Sequence, residues 1–268
     1  GSIAFYQYIT CTAYLPANWF TKVMSHSSTG LTFAGLTDVG LHRSTNQDSY
    51  YISQSGDLFI VADGMGGHTG GQEASRLCIN TIQSCFEAHE QSQYDAAVLL
   101  EKAVFAANQA ILSDQRQHPE RADMGTTAVV LTWRSHQFWC AHVGDSRLYL
   151  LRKDQLVQIT QDHTWVAKAM KSGELSTDHL ASHPWRHVLS QCVGREDLSN
   201  VETQRVETQS GDWLLLCSDG LTEELSSTVI ANHLQLAETC EGAVSALVAA
   251  AKAQGGRDNI TAVAIGVL

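Results

Sequence analysis

A chain of 268 residues can bury a substantial core in one domain, and 44 % hydrophobic with 17 % charged residues, 3 Pro and 20 Gly exclude disordered, collagen-like or low-complexity polymers. The 17 Lys and Arg against 28 Asp and Glu leave a formal charge of −11, which argues against a nucleic-acid or anionic-membrane binder because the phosphate-neutralising surface is missing. An acidic protein that handles an anionic substrate must concentrate positive charge locally, through a few arginines or through bound metal ions.

Residues 1–23 carry one charged side chain, Lys22, and many aromatics, without the basic head or clean apolar middle of a signal peptide. The reading is a native start at Met24, with the residues up to about 23 foreign to the native chain and 1–30 an extension outside the domain. Seven cysteines (Cys11, Cys78, Cys85, Cys140, Cys192, Cys217, Cys240) show no C-x-x-C pair, which suits a reducing, cytoplasmic location. No run approaches the roughly 18 uninterrupted apolar residues of a membrane span; the nearest is Ala243 to Ala251.

Strand-like segments follow at Leu31 to Thr37, Ser49 to Ile52 and Leu58 to Ala62, the last ending in an Asp63-Gly64 turn signal. The period then changes. Apolar residues at Ala74, Leu77, Cys78, Ile82, Cys85 and Phe86 mark one helix, and Ala96, Leu100, Ala103, Val104, Ala107 and Ile111 a second, antiparallel to the first. Strands return at Thr126 to Thr132, Phe138 to Val143, Arg147 to Leu151 and Gln155 to Ile159, with Lys153-Asp154 as a hairpin turn. From His163 to His187 a polar, His-rich stretch lacks periodicity, and loops of that length are usually functional. Strands at Val201 to Val206 and Trp213 to Cys217, helices near Ser226 to Leu236 and Cys240 to Ala253, and a strand at Ile260 to Val267 complete the chain. This block order argues for a layered α+β domain over 31–268 with mainly antiparallel sheets.

Four aspartates sit at strand termini: Asp63 and Asp219, each followed by Gly, Asp145 in Gly144-Asp145-Ser146-Arg147, and Asp258 in Arg257-Asp258-Asn259. Taken singly, an Asp-Gly pair is a tight-turn signal and needs no chemistry. Together at one rim, carboxylates would repel unless cations intervened, and oxygen donors without Cys or His pairs favour Mg²⁺ or Mn²⁺ over zinc. The segment Asp63-Gly64-Met65-Gly66-Gly67-His68-Thr69-Gly70-Gly71 lacks the Lys-Ser/Thr ending of a nucleotide P-loop; its glycines instead let Asp63 and the Gly64 carbonyl approach a metal. Arg43 and Asp48, five residues apart before a strand, are on their own a solvated turn with a salt bridge.

The ordered segments G-L-H-R-S-T-N-Q-D, V-A-D-G-M-G-G-H, M-G-T-T-A, H-V-G-D-S-R, T-Q-D-H-T, C-S-D-G-L-T and G-R-D-N-I-T, covering nearly everything from Leu31 to Leu268, resemble the bacterial branch of the metal-dependent protein phosphatases, the PPM or type 2C serine/threonine phosphatases. The resemblance implies a four-layer αββα sandwich, two sheets flanked by pairs of antiparallel helices. It also implies hydrolysis of phosphoserine or phosphothreonine by direct attack of a hydroxide shared by two Mn²⁺ or Mg²⁺ ions, without a phosphoenzyme. By similarity Asp63 bridges the two metals, the Gly64 carbonyl ligates the first, Asp219 and Asp258 ligate the second, and Asp48 holds metal-bound water. Asp145 with Asp219 supports a third, weaker metal, and Arg43 grips the substrate phosphate.

Animal members place His directly after Asp-Gly as the proposed proton donor, where this chain has Met65; His68 and a metal-bound water are the alternatives. The stretch 163–187 corresponds to the family's flap, and His183 is its candidate substrate contact. The implied partners are phosphorylated proteins and a cognate serine/threonine kinase, for a monomer that binds neither nucleic acid nor membrane. A catalytically silent phosphoprotein reader of the same fold and a hydrolase of small phosphate esters are the rival readings.

Overall fold

The computed structural model describes residues 25–26, 30–67, 69–90, 94–172, 185 and 187–268. Residues 1–24 and 27–29 of the expected extension 1–30, His68, His183 and most of the flap (173–184 and 186) lie outside the described residues.

Two antiparallel sheets stack face to face. The first has the order β1 (Ser25–His26), β2 (Leu31–Asp38), β12 (Ile260–Val267), β11 (Trp213–Cys217), β8 (Arg147–Arg152), β9 (Gln155–Gln158). The second runs β10 (Glu202–Val206), β7 (Gln137–Val143), β6 (Ala128–Arg134), β4 (Leu58–Met65), β3 (Asp48–Ile52), with the short β5 (Gly125–Thr126) paired to the end of β4.

Central strands that are apolar on every residue are explained by burial on both faces, with alternate side chains serving different cores. In β4, Phe59 and Val61 enter the core between the sheets, while Leu58, Ile60 and Ala62 meet helices α1 (Gly70–Ala88) and α2 (Ala96–Gln117). In β11, Leu214 and Leu216 enter the central core, and Leu215 and Cys217 face helices α5 (Ser227–Leu236) and α6 (Cys240–Gln254). Layers of helix, sheet, sheet and helix result, as the sequence pattern and the resemblance imply.

Four of the described α-helices, α2, α3 (Trp165–Lys171), α5 and α6, start on side-chain caps. Asp95 accepts from the Ala97 N–H at 2.8 Å to open α2, and Thr239 accepts from the Gly242 N–H at 3.1 Å to open α6. By length and composition α2 could cross a membrane, but its Leu99, Leu100, Ala103, Val104, Ala107 and Ile111 are all fully buried within the protein. The six described cysteines are free thiols.

Two local expectations are corrected. Asp63-Gly64 is not a turn: β4 continues through it, because Gly64 and Met65 pair with Thr126 and Gly125 of β5. Asp219-Gly220 likewise opens a short helix, α4 (Asp219–Thr222). The stretch after His163 holds about two turns of helix, α3, capped by the Thr164 hydroxyl. Seven residues with Val166 and Ala169 buried are too few for a periodic signal.

Phe59 is fully buried and meets Phe33 edge to face across the sheets, with ring centroids 5.4 Å apart. Phe59→Ala is therefore expected to cost about 3–5 kcal/mol in urea unfolding, whereas Leu236→Ala, at a position 83 % exposed, should shift stability by less than about 0.5 kcal/mol.

Candidate active site

One rim of the sandwich collects strand ends from both sheets. Asp48 opens β3 directly opposite Asp63 of β4. From the other sheet, Ser218 and Asp219 follow β11, and Asp258 and Asn259 precede β12. Asp145 lies in the turn between β7 and β8.

Small polar side chains fix these ends. Thr127 Oγ1 accepts from the Asp63 N–H at 2.9 Å, and the Asp63 carbonyl accepts from the Thr126 hydroxyl at 2.9 Å and the Thr127 N–H at 2.8 Å. The Thr127 hydroxyl also lies 2.6 Å from that of Ser146, next to Asp145, so one residue positions both carboxylates. Across the sandwich, Ser218 Oγ and Thr261 Oγ1 each donate to Asp48 Oδ2 at 2.7 Å, joining the two sheets through one buried carboxylate.

The loop bearing Arg43 is clamped by buried Asn259. Its Oδ1 accepts from the Gln47 N–H at 2.8 Å, and its Nδ2 donates to the carbonyls of Val39 and Thr45 at 2.9 and 3.0 Å. Arg43 Nη2 lies 2.7 Å from Asp258 Oδ2, with the arginine side chain 52 % exposed. A cation is thus held at the edge of the acidic rim yet remains able to swing outward. Gly64 allows close approach: a Cβ there would collide with the Gly71 carbonyl at the start of α1 and sit 2.7 Å from that of Gln47.

The electrostatic outcome is uniform. Burial, together with the neighbouring Asp219 and Asp258, outweighs the two donated hydroxyls and pushes Asp48 up to about 7. Burial and then Asp219 and Asp162 push Asp145 up to about 8. Asp63 is raised well above the carboxylate range by burial and then by Asp48, Asp219 and Asp145. Asp219 is raised by burial. Asp48 Oδ1 and Asp219 Oδ1 are buried with no hydrogen-bond partner. Buried carboxylate oxygens without donors, crowded by like charge, form a donor set that a hard divalent cation would satisfy.

Arg43, Asp48, Asp63, Gly64, Asp145, Asp219 and Asp258 are therefore brought to one rim from segments up to 215 residues apart. Sequence reasoning missed Thr127, Ser218, Asn259 and Thr261, although each lies inside a quoted motif. It also missed His187. The His187 Nδ1 lies 2.5 Å from Glu223 Oε1, and the ligating atoms of His187, Glu223 and Asp219 fall within 4.8 Å of one another.

Because these carboxyls titrate higher in the folded than in the unfolded chain, the metal-free fold retains protons that the unfolded chain releases, and loses stability as pH rises from about 4 towards about 8. A divalent cation replaces those protons. Thermal melts in chelator should fall between pH 6 and pH 8, and added Mn²⁺ should raise the midpoint more at pH 8 than at pH 6; an equal rise at both would contradict the repelling cluster.

Comparison with known proteins bears on the same residues. A family profile described as protein phosphatase 2C matches residues 42–261. The serine/threonine protein phosphatase PstP of Mycobacterium tuberculosis (strain CDC 1551 / Oshkosh) is 36 % identical over 238 residues, 89 % of this chain and 45 % of PstP. This chain thus spans about half the length of that relative. The protein phosphatase PhpP of Streptococcus pneumoniae serotype 2 is 35 % identical over 84 % of this chain and 93 % of PhpP. Among solved structures, that of Mycobacterium tuberculosis PstP aligns with a TM-score of 0.80 at 34 % identity, covering 88 % of this chain and 98 % of that one. The catalytic domain of PstP in complex with two manganese ions aligns with a TM-score of 0.76 at 31 % identity, covering 89 % and 98 %. By profile, by identity along most of its length and by fold, this chain belongs to the protein phosphatase 2C family.

Proposed function

We propose that this chain is a metal-dependent protein serine/threonine phosphatase. The observation that carries the reading is the rim of buried, mutually repelling aspartates with unpartnered oxygens beside a half-exposed arginine. The names of the relatives and the two manganese ions of the PstP catalytic domain support it.

The donor set suits two Mn²⁺ or Mg²⁺ ions, held by Asp63, the Gly64 carbonyl, Asp219 and Asp258, with Asp145 and Asp219 available to a third. Such a pair, when bound, lowers the pKa of water and neutralises charge on the transferring phosphoryl group. Asp48, fixed by Ser218 and Thr261, turns its unpartnered Oδ1 away from them and serves to orient water at the rim. Arg43 exchanges Asp258 for the substrate phosphate, where a planar guanidinium makes two charge-assisted hydrogen bonds to one group.

Hydrolysis breaks the bond from phosphorus to the serine or threonine oxygen, places the oxygen of water on phosphorus and leaves a proton to be delivered to the departing alkoxide. Met65 occupies the position after Asp-Gly, so that delivery falls to His68 or to water; His187, held by Glu223, is a further imidazole at the same rim. Phosphorylated proteins, a cognate serine/threonine kinase, a cytoplasmic setting and a monomeric domain over 31–268, with 163–187 as a flap shaping access, complete the proposal. A silent phosphoprotein reader would lack a metal carboxylate, and Asp63, Asp219 and Asp258 are all present.

Hydrolysis of a phosphothreonine peptide should require Mn²⁺ or Mg²⁺ and fall by about 10³-fold or more in Asp63→Ala and Asp219→Ala; metal-independent turnover would refute the assignment. Arg43→Ala should raise KM about tenfold or more while both metal sites remain intact, and an unchanged KM would remove Arg43 from phosphate binding. Turnover of the peptide should exceed that of small phosphate esters at equal concentration; the reverse ranking would favour the small-ester hydrolase.

A further inference from the structure

A second cluster of ligating side chains lies outside the acidic rim, at the root of the flap. His142 is on β7, Glu202 is its direct register partner on the edge strand β10, and His163 follows in the loop leading to α3. One ligating atom from each of the three falls within 4.8 Å of the other two.

His142 is the informative member. It is 1 % exposed, its Nε2 lies 2.8 Å from the Gln161 carbonyl, and its Nδ1 is buried with no partner. A carbonyl can only accept, so Nε2 carries the proton and Nδ1 presents a lone pair to the interior. Metal-ligating histidines are held in the same way, the distal N–H donated to a backbone carbonyl so that tautomer and ring direction are fixed. An unpartnered buried lone pair otherwise costs stability without return.

We propose that His142, His163 and Glu202 form a zinc site at the base of the flap, separate from the catalytic aspartates. Two imidazoles and one carboxylate are borderline donors that suit zinc, whereas the acidic rim offers only the hard oxygens that Mg²⁺ and Mn²⁺ prefer. The fourth position is left to water from an adjoining cavity of about 360 Å³, which both His163 and Glu202 line.

The two rings stack, with centroids 4.5 Å apart and planes 22° from parallel, so sharing an ion requires one of them to turn. His163 is placed to do so, since its Nδ1 holds the Gly144 N–H by a long bond of 3.2 Å, against 2.8 Å for the anchor of His142. Burial and the neighbouring His142 push His163 down to about 4, and burial lowers His142, so both rings are neutral at neutral pH, and turning His163 off the Gly144 N–H frees its lone pair. The location gives the ion consequence: the His163 N–H donates to the Gly144 carbonyl at 2.9 Å, beside Asp145, and the His163 carbonyl accepts from the Ser190 N–H at 2.8 Å, closing the flap's two ends. Zinc here would tether the flap root to the rigid sheet.

The test uses the full chain carrying Asp63→Asn and Asp219→Asn, which withdraws the catalytic carboxylates and relieves the repulsion that burdens the fold. Equilibrium dialysis against Zn²⁺, read by atomic absorption, should find one zinc per chain. Adding His142→Asn or Glu202→Gln should weaken that zinc at least tenfold; Glu202 is exposed, so its variant tests the site without disturbing the core. A background chain that holds no zinc, or that holds it unchanged after both substitutions, would overturn the proposal. Neither result depends on phosphatase activity.

Discussion

Repulsion among aspartates buried at one rim of a sandwich shapes the rest of this molecule. Asp48 and Asp63 face each other in register, Asp219 and Asp145 raise Asp63 further, and Asp258 adds charge beside Asp48 and Asp219. Each group raises its neighbours' pKa, so the arrangement is costly unless protons or cations fill it. Such a cluster persists because a rigid scaffold holds it there, and the stability given up at the rim is recovered in three apolar cores.

The scaffold acts through small polar residues that carry no charge of their own. Asp48 accepts hydroxyls from Ser218 and Thr261 of the opposite sheet, so the stacking of the two sheets fixes its orientation. Thr127 serves Asp63 and, through Ser146, the Asp145 turn. Asn259 holds the loop that presents Arg43. A fault in sheet packing would therefore reach the acidic rim directly, since the hydroxyls that hold Asp48 come from the sheet facing its own.

Sequence reasoning succeeded where one periodicity dominates. Apolar spacing in α1, α2, α5 and α6 and continuous apolar runs in β4, β11 and β12 are strong signals because burial is repeated along each element. It failed where local chemistry was overruled by pairing. Asp63-Gly64 has turn composition, yet β5 supplies hydrogen bonds that keep it extended. The seven residues of α3 offered too short a pattern within a polar stretch. His142 was invisible as a candidate because one histidine in an apolar strand is ordinary; its meaning depends on Glu202 and His163 lying across the strand pair.

By itself the sequence determined the layered α+β class, the reducing-type cysteine usage and the motifs that carry the family resemblance, since these follow from composition, period and local residue order. It also named the carboxylates and Arg43, because acidic residues at strand ends are readable in one dimension. Tertiary structure alone decided which of them meet, which oxygens lack a partner, and which neutral hydroxyls and amides aim them. Those facts depend on the register between strands of two sheets and on removal of the site from water, and neither distance nor desolvation is written in the order of residues along a chain.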